Sequence, residues 1–61
     1  MTIDELKTAS QRHQTVIYDG IEYTCIGVQV LYLDHEKLIS ACLSDKQNRL
    51  VWAKIEKVRK K

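Results

Sequence analysis

The dipeptide Asp19-Gly20 sits between two runs in which apolar and polar residues alternate, and no other feature constrains this chain as much. A two-residue type I′ turn needs positive φ at both central positions, a conformation that Asp and Gly accept and most residues resist. Such a turn fixes a register. Tyr18 then faces Ile21 and Val16 faces Tyr23 on one side of a ribbon, while Ile17 meets Glu22 and Thr15 meets Thr24 on the other. The first side is wholly apolar, so turn chemistry and hydrophobic alternation select the same pairing.

Beyond Tyr23 the apolar parity changes. Odd positions (Ile21, Tyr23, Cys25) give way to even ones (Ile26, Val28, Val30, Tyr32), with Gly27 at the change. One extra residue in a strand reverses the facing of everything downstream, so a bulge or sharp bend is predicted at Cys25 to Gly27. A long second strand bent at a glycine can serve two sheets, which is how a small barrel turns its corner.

Two more turns follow. Asp34-His35-Glu36-Lys37 is expected to set Leu33 opposite Leu38, Tyr32 opposite Ile39, Val30 opposite Ala41 and Val28 opposite Leu43. Asp45 to Arg49 reads as a three-residue hairpin with Asn48 in the left-handed position, where Asn substitutes for Gly. Leu43 then pairs with Val51, Ala41 with Ala53, and Ile39 with Ile55. Val28, Val30, Tyr32, Ile39, Ala41, Leu43, Val51, Ala53 and Ile55 share one face, which is the predicted core. Ala53 to Arg59 reads as a strand end, a short helical turn and a last short strand.

At the amino end, Thr2-Ile3-Asp4-Glu5 has the form of a capping box and starts a helix. Ile3, Leu6 and Ala9 make a thin apolar stripe, and a helix of about three turns is marginal alone, so it must dock. The expected fold is mainly β (α+β): a short helix over 1–13, then a four- to five-stranded antiparallel meander over 15–59 closing into a small SH3-like or Sm-like barrel. Residues 60–61 are expected as a basic tail. An open meander packed on the helix is the alternative. At 61 residues the chain makes a single domain, 1–61, that buries only about 60% of its unfolded surface, so its core is marginal.

Composition narrows the chemistry. Cys25 and Cys42, in a chain with no signal-like leader and no membrane-length apolar run, read as reduced core residues of a cytoplasmic protein. His13, Cys25, His35 and Cys42 form none of the close pairs from which structural zinc sites are built. The only glycines are Gly20 and Gly27, so there is no phosphate-cradling loop. Asp34-His35-Glu36 is a solvated turn, and Ser40 and Ser44 belong to no recognisable triad. We expect no enzyme activity, no cofactor, no metal, no small-molecule substrate and no membrane partner.

Two surfaces remain for function. The side opposite the predicted core carries Gln29, Leu31, Leu33, Leu38, Ser40, Cys42, Leu50, Trp52 and Lys54, too apolar for a face left to water. The helix is expected to cover part of it. Leu31, Leu33, Leu38, Leu50 and Trp52 are the candidate protein interface, for a second copy in a homodimer or for another protein. Charge defines the second surface. Residues 1–53 hold five basic and seven acidic side chains, whereas residues 54–61 hold five basic and one acidic. Lys54, Lys57, Arg59, Lys60 and Lys61, with Arg49 and Trp52 nearby, are the candidate nucleic-acid site, clamping phosphates and stacking a base.

The helix start Asp4-Glu5-Leu6-Lys7, the run Val16 to Tyr23, the strand pair after it, and the segment Leu43 to Arg59 with Ala53 and Val58-Arg59 carry a resemblance. Over most of its length the chain resembles small uncharacterised proteins of prophages and mobile elements of Gram-positive bacteria. The resemblance rests on turn and core residues and implies no catalytic residue. It implies a setting: a tiny accessory protein that binds and blocks a host or defence protein, or that binds nucleic acid.

Overall fold

The computed structural model describes all residues, Met1–Lys61. It contains helix α1 (Ile3–Arg12), strands β1 (Thr15–Tyr18), β2 (Ile21–Tyr32), β3 (Lys37–Ser44) and β4 (Leu50–Lys54), a 3₁₀ turn (Ile55–Lys57) and β5 (Val58–Lys60). The chain is mainly β.

Local chemistry accounts for the element ends. The Glu5 amide donates to Thr2 Oγ1 (3.2 Å) and the Thr2 amide to Glu5 Oε1 (2.8 Å), closing the capping box. The helix stops where His13 turns left-handed at φ 51° and the Gln14 amide returns to the Ala9 carbonyl. Asp19 and Gly20 take φ of 54° and 74°, as the type I′ turn requires, and the β1–β2 register is the expected one from Thr15↔Thr24 to Tyr18↔Ile21. In the third turn Asn48 has φ 62°, and the Asp45 carboxylate accepts from the Gln47 and Arg49 amides at 2.8 and 2.9 Å. Leu43↔Val51 and Ala41↔Ala53 follow as expected.

The bulge lies where parity breaks. Cys25 opposes Leu43 and Gly27 opposes Cys42, so Ile26 is the extra residue. Beyond it the β2–β3 register departs from expectation by two residues: Val28 meets Ala41, Val30 meets Ile39 and Tyr32 meets Lys37. Leu33 belongs to the loop rather than to a strand, and its amide donates to the Glu36 carbonyl at 2.8 Å. A shift of two preserves which face each side chain occupies, so the error cost position along the strand but not sidedness. Tyr32 is nevertheless 78% exposed, because it lies beyond the covered part of the core face. Ile55 is in the 3₁₀ turn and does not pair with Ile39; the β3–β4 ladder ends at Ser40↔Lys54.

The strands form one sheet in the order β4-β3-β2-β1-β5. Expected closure into a barrel is not made: β4 and β5 are both edges, with no ladder between them. Yet they are consecutive in the chain and joined by only three residues. Five flat strands would set their edges about 19 Å apart, and a three-residue 3₁₀ turn advances only about 6 Å. The sheet therefore curls, bringing its two edges towards one another at that turn.

The core fills the inside of this curl. Leu6 and Ala9 from α1 join Val16, Cys25, Ala41, Leu43, Ala53 and Val58 in one buried cluster, with Val28, Ile39, Val51 and Ile55 packed around it. The helix thus covers the core face and not the opposite one, contrary to expectation. Three ties hold it there. Ser10 Oγ donates to the Leu6 carbonyl and lies 3.2 Å from Cys25 Sγ, the Cys25 amide donates to the Gln14 carbonyl, and Glu5 pairs with Lys60. Lys60 is accordingly part of β5, opposite Val16, and not a tail residue. No buried side-chain polar atom lacks a partner.

Candidate functional site

Registers place the outer face of β2, β3 and β4 in cross-strand rows. One row is Gly27, Cys42 and Trp52; the next is Gln29, Ser40 and Lys54; the third is Leu31 and Leu38. Leu50 stands opposite Ser44 at the far end, and Leu33 follows Leu31 in the loop. The five candidate interface residues therefore lie on or beside one surface but form two islands. Leu31, Leu33 and Leu38 are at the β2–β3 tip, Leu50 and Trp52 on the β4 edge, and the polar row Gln29–Ser40–Lys54 runs between.

With α1 on the other side, nothing within the chain covers the islands. Leu31 is 44% exposed, Leu33 49%, Trp52 53% and Leu50 59%, with Leu38 half-buried. Leaving such groups in water forgoes about 25 cal/mol per Å² of apolar surface. Cys42 shares this face but is buried between Gly27 and Trp52. Burial, followed by the neighbouring Cys25, pushes its thiol pKa up.

The β2–β3 tip is also unsupported laterally. β1 pairs with β2 only over Ile21 to Thr24, and β4 pairs with β3 only over Ser40 to Ser44. From Leu31 to Leu38 the hairpin is a two-stranded arm, and it accords with a long dimension of 36 Å against 20 and 19 Å. The Lys37 ammonium lies 5.8 Å from the centre of the Tyr32 ring, an exposed cation–π contact.

The basic residues are dispersed by comparison. Arg49 Nε binds Asp45 Oδ2 at 3.0 Å, Lys60 pairs with Glu5, and Lys61 binds Glu22 at 3.2 Å. Lys54, Lys57 and Arg59 have no such partner. They follow the corner from β4 through the 3₁₀ turn into β5, and Lys57 and Arg59 line an open groove with Ile17, Tyr18, Asp19 and Glu56. Asp45 is held below the ordinary carboxylate range, first by the Arg49 amide. Glu5 is held down at about 2, chiefly by its hydrogen bond from Lys60 and then by the Thr2 amide.

Of the remaining candidates, His13 caps α1 and His35 sits exposed at the arm tip, while Cys25 and Cys42 are buried. No three His, Cys, Asp or Glu side chains gather into a cluster that could hold a metal. No helix is long and apolar enough to cross a membrane. What sequence reasoning missed is the division of the outer face by its polar row and the projection of the arm. Only the lengths of the three ladders reveal these, and the turns alone do not set them.

Compared with protein-family models, curated proteins and solved structures, the chain matches none.

Proposed function

We propose that this chain is a small non-enzymatic binding module that acts by contact with another protein through Leu31, Leu33, Leu38, Leu50 and Trp52. The observation that carries this reading is the exposure of large apolar side chains on a sheet face that α1 leaves uncovered. A phage- or mobile-element-type accessory role, binding and blocking a host or defence protein, follows from the resemblance of Asp4 to Lys7, Val16 to Tyr23 and Leu43 to Arg59 to such proteins. We further read the curled sheet as the half-open form of a small SH3-like barrel. Support comes from the three-residue turn that joins its two edge strands.

The test is capture from a bacterial lysate by the immobilised chain beside its Trp52→Ala and Leu31→Asp variants, each checked for native circular dichroism. A partner whose retention drops at least about tenfold with Trp52→Ala fits an aromatic anchor at an interface. Retention indifferent to both substitutions removes this surface from the function. The alternative is nucleic-acid binding by the unpaired Lys54, Lys57 and Arg59 with Arg49, Lys60 and Lys61. Fluorescence anisotropy with short DNA and RNA decides it: binding weaker than about 100 μM ends that reading.

A further inference from the structure

The two apolar islands are placed symmetrically about the row they flank. From Ser40, Leu38 lies two residues one way along β3 and Cys42, with Trp52 beside it, two residues the other way. At about 3.3 Å per residue, each island begins about 7 Å from the central row. Charge follows the same division. Beyond Leu38 the arm tip presents exposed Asp34 and Glu36, neither in an ion pair within the chain. Beyond Cys42 the β3–β4 turn presents exposed Lys46, which is in no ion pair, beside Arg49, which Asp45 holds.

We propose that this face docks on the same face of a second copy of the chain, about a two-fold axis crossing the strands at Ser40. This rests on the reading of the face as a protein-binding surface and names its occupant. A half-turn about that axis exchanges the two ends of the face. Leu31 and Leu38 of one copy come down on the Gly27–Cys42 floor of the other, beside its Trp52. That floor is low because Gly27 has no side chain and Cys42 a small one. The same operation brings Asp34 and Glu36 over Lys46, and symmetry makes the contact twice. Gln29 meets Gln29 near the axis, where each side-chain amide can donate and accept. Lys54, on the edge strand, carries its ammonium past the rim into water.

Size sets the strength. With extents of 36 × 20 × 19 Å the whole long side projects to about 700 Å², and the outer face is the convex side of the curl, so the contact stays below the ~800 Å² per partner of a standard interface. A contact of that size belongs to the weak, transient class of interface.

Charge reversal tests the arrangement without touching the core. In sedimentation velocity the native chain passes from monomer to dimer as concentration rises from micromolar to near-millimolar. Glu36→Lys alone and Lys46→Glu alone each set like charges together at both symmetric contacts, raising Kd about tenfold. A mixture of the two variants recovers native affinity, because both contacts between unlike chains are again Lys to Glu. A loss due to misfolding would not be recovered on mixing. The proposal is overturned if the native chain stays monomeric throughout, if either single variant dimerises as the native chain does, or if mixing restores nothing. A monomeric native chain that still captures a different protein through Trp52 would refute self-association and leave the binding-module reading standing.

Discussion

Two hairpins made of similar residues meet opposite fates in this molecule. The β1–β2 hairpin has β5 on its outer edge, β3 beyond β2, and a face that joins the core through Val16; its Tyr18 and Tyr23 rings pack with centroids 6.1 Å apart. The β2–β3 hairpin leaves the sheet at its tip, where Leu31 to Leu38 have only each other. An isolated two-stranded ribbon is marginal in water, so the arm owes its order to the sheet from which it grows. Apolar residues alone do not make core. Val16 is buried and Tyr32 is not, because one has neighbours above and beside it and the other has only Lys37 across the hairpin.

The sharpest way to break this contrast is to truncate a leucine in each region. Leu43→Ala removes a fully buried side chain at the centre of the cluster and should cost about 2–5 kcal/mol. A domain of this length has about 3–9 kcal/mol in total, so the variant should lose about half of its stability. Leu31→Ala, at the exposed tip, should shift stability by no more than about 0.5 kcal/mol. Urea midpoints followed by Trp52 fluorescence measure both. Similar losses at the two sites would show that the arm is part of the cooperative core.

Turn chemistry gives a smaller contrast of the same kind. Gly20 has φ 74° and nothing within 4 Å of where a Cβ would sit, so Gly20→Ala tests backbone conformation free of packing. It should destabilise by about 1 kcal/mol, the cost of holding an L residue left-handed. No residue from Leu33 to Glu36 has positive φ. Asp34→Ala in the arm loop should accordingly be neutral to within about 0.5 kcal/mol. An Asp34→Ala loss matching that of Gly20→Ala would mean that the arm loop, too, is pinned by its geometry.

The same asymmetry decided what could be read from the sequence. The Asp19-Gly20 and Asn48 turns state their registers because each needs a specific φ at a specific position, and the Thr2–Glu5 box is written in the residues that form it. Gly27 and the parity change placed the bulge within Cys25 to Gly27, where Ile26 is the extra residue. The second turn contains nothing so demanding. Leu33, Asp34, His35 and Glu36 fit a loop in more than one framing, and period-two alternation is blind to a slip of two, so the faces were right and the pairing was not. The docking of α1 was ambiguous for a related reason. Leu6 and Ala9 fit against either apolar face, and the choice is made by long-range ties to Cys25, Val58 and Lys60 that no local pattern carries. Of the candidate surface, the apolar character of Leu31, Leu50 and Trp52 was legible; its division into two islands depended on the slipped register and was not.

The smallest expected effect concerns the tie that makes the packed end firmer than the arm. The Glu5 carboxylate accepts from the Lys60 ammonium and from the Thr2 amide, so one group holds the helix start to β5 and closes the capping box. Its pKa is lowered to about 2, against about 4.3 for an unperturbed Glu. A depressed pKa means that the folded state favours the charged form. The stabilisation is therefore fully present above about pH 4.3 and is lost as pH falls through about 2. Because the pair is exposed to water, salt should weaken it, and the loss should be modest. Hydrogen exchange between pH 5 and pH 2.5, corrected for intrinsic rates, should show protection falling around Thr2, Glu5 and Lys60. The arm from Leu31 to Leu38 should stay as weakly protected as before. Asp45 titrates in the same direction and anchors the β3–β4 turn, so Glu5→Gln is the control that separates the two. The substitution should abolish the pH dependence at the helix start and spare that at Gln47 and Arg49. If the amides of Lys60 and of Leu38 respond alike to acid, the helix is not what distinguishes the two ends of this sheet.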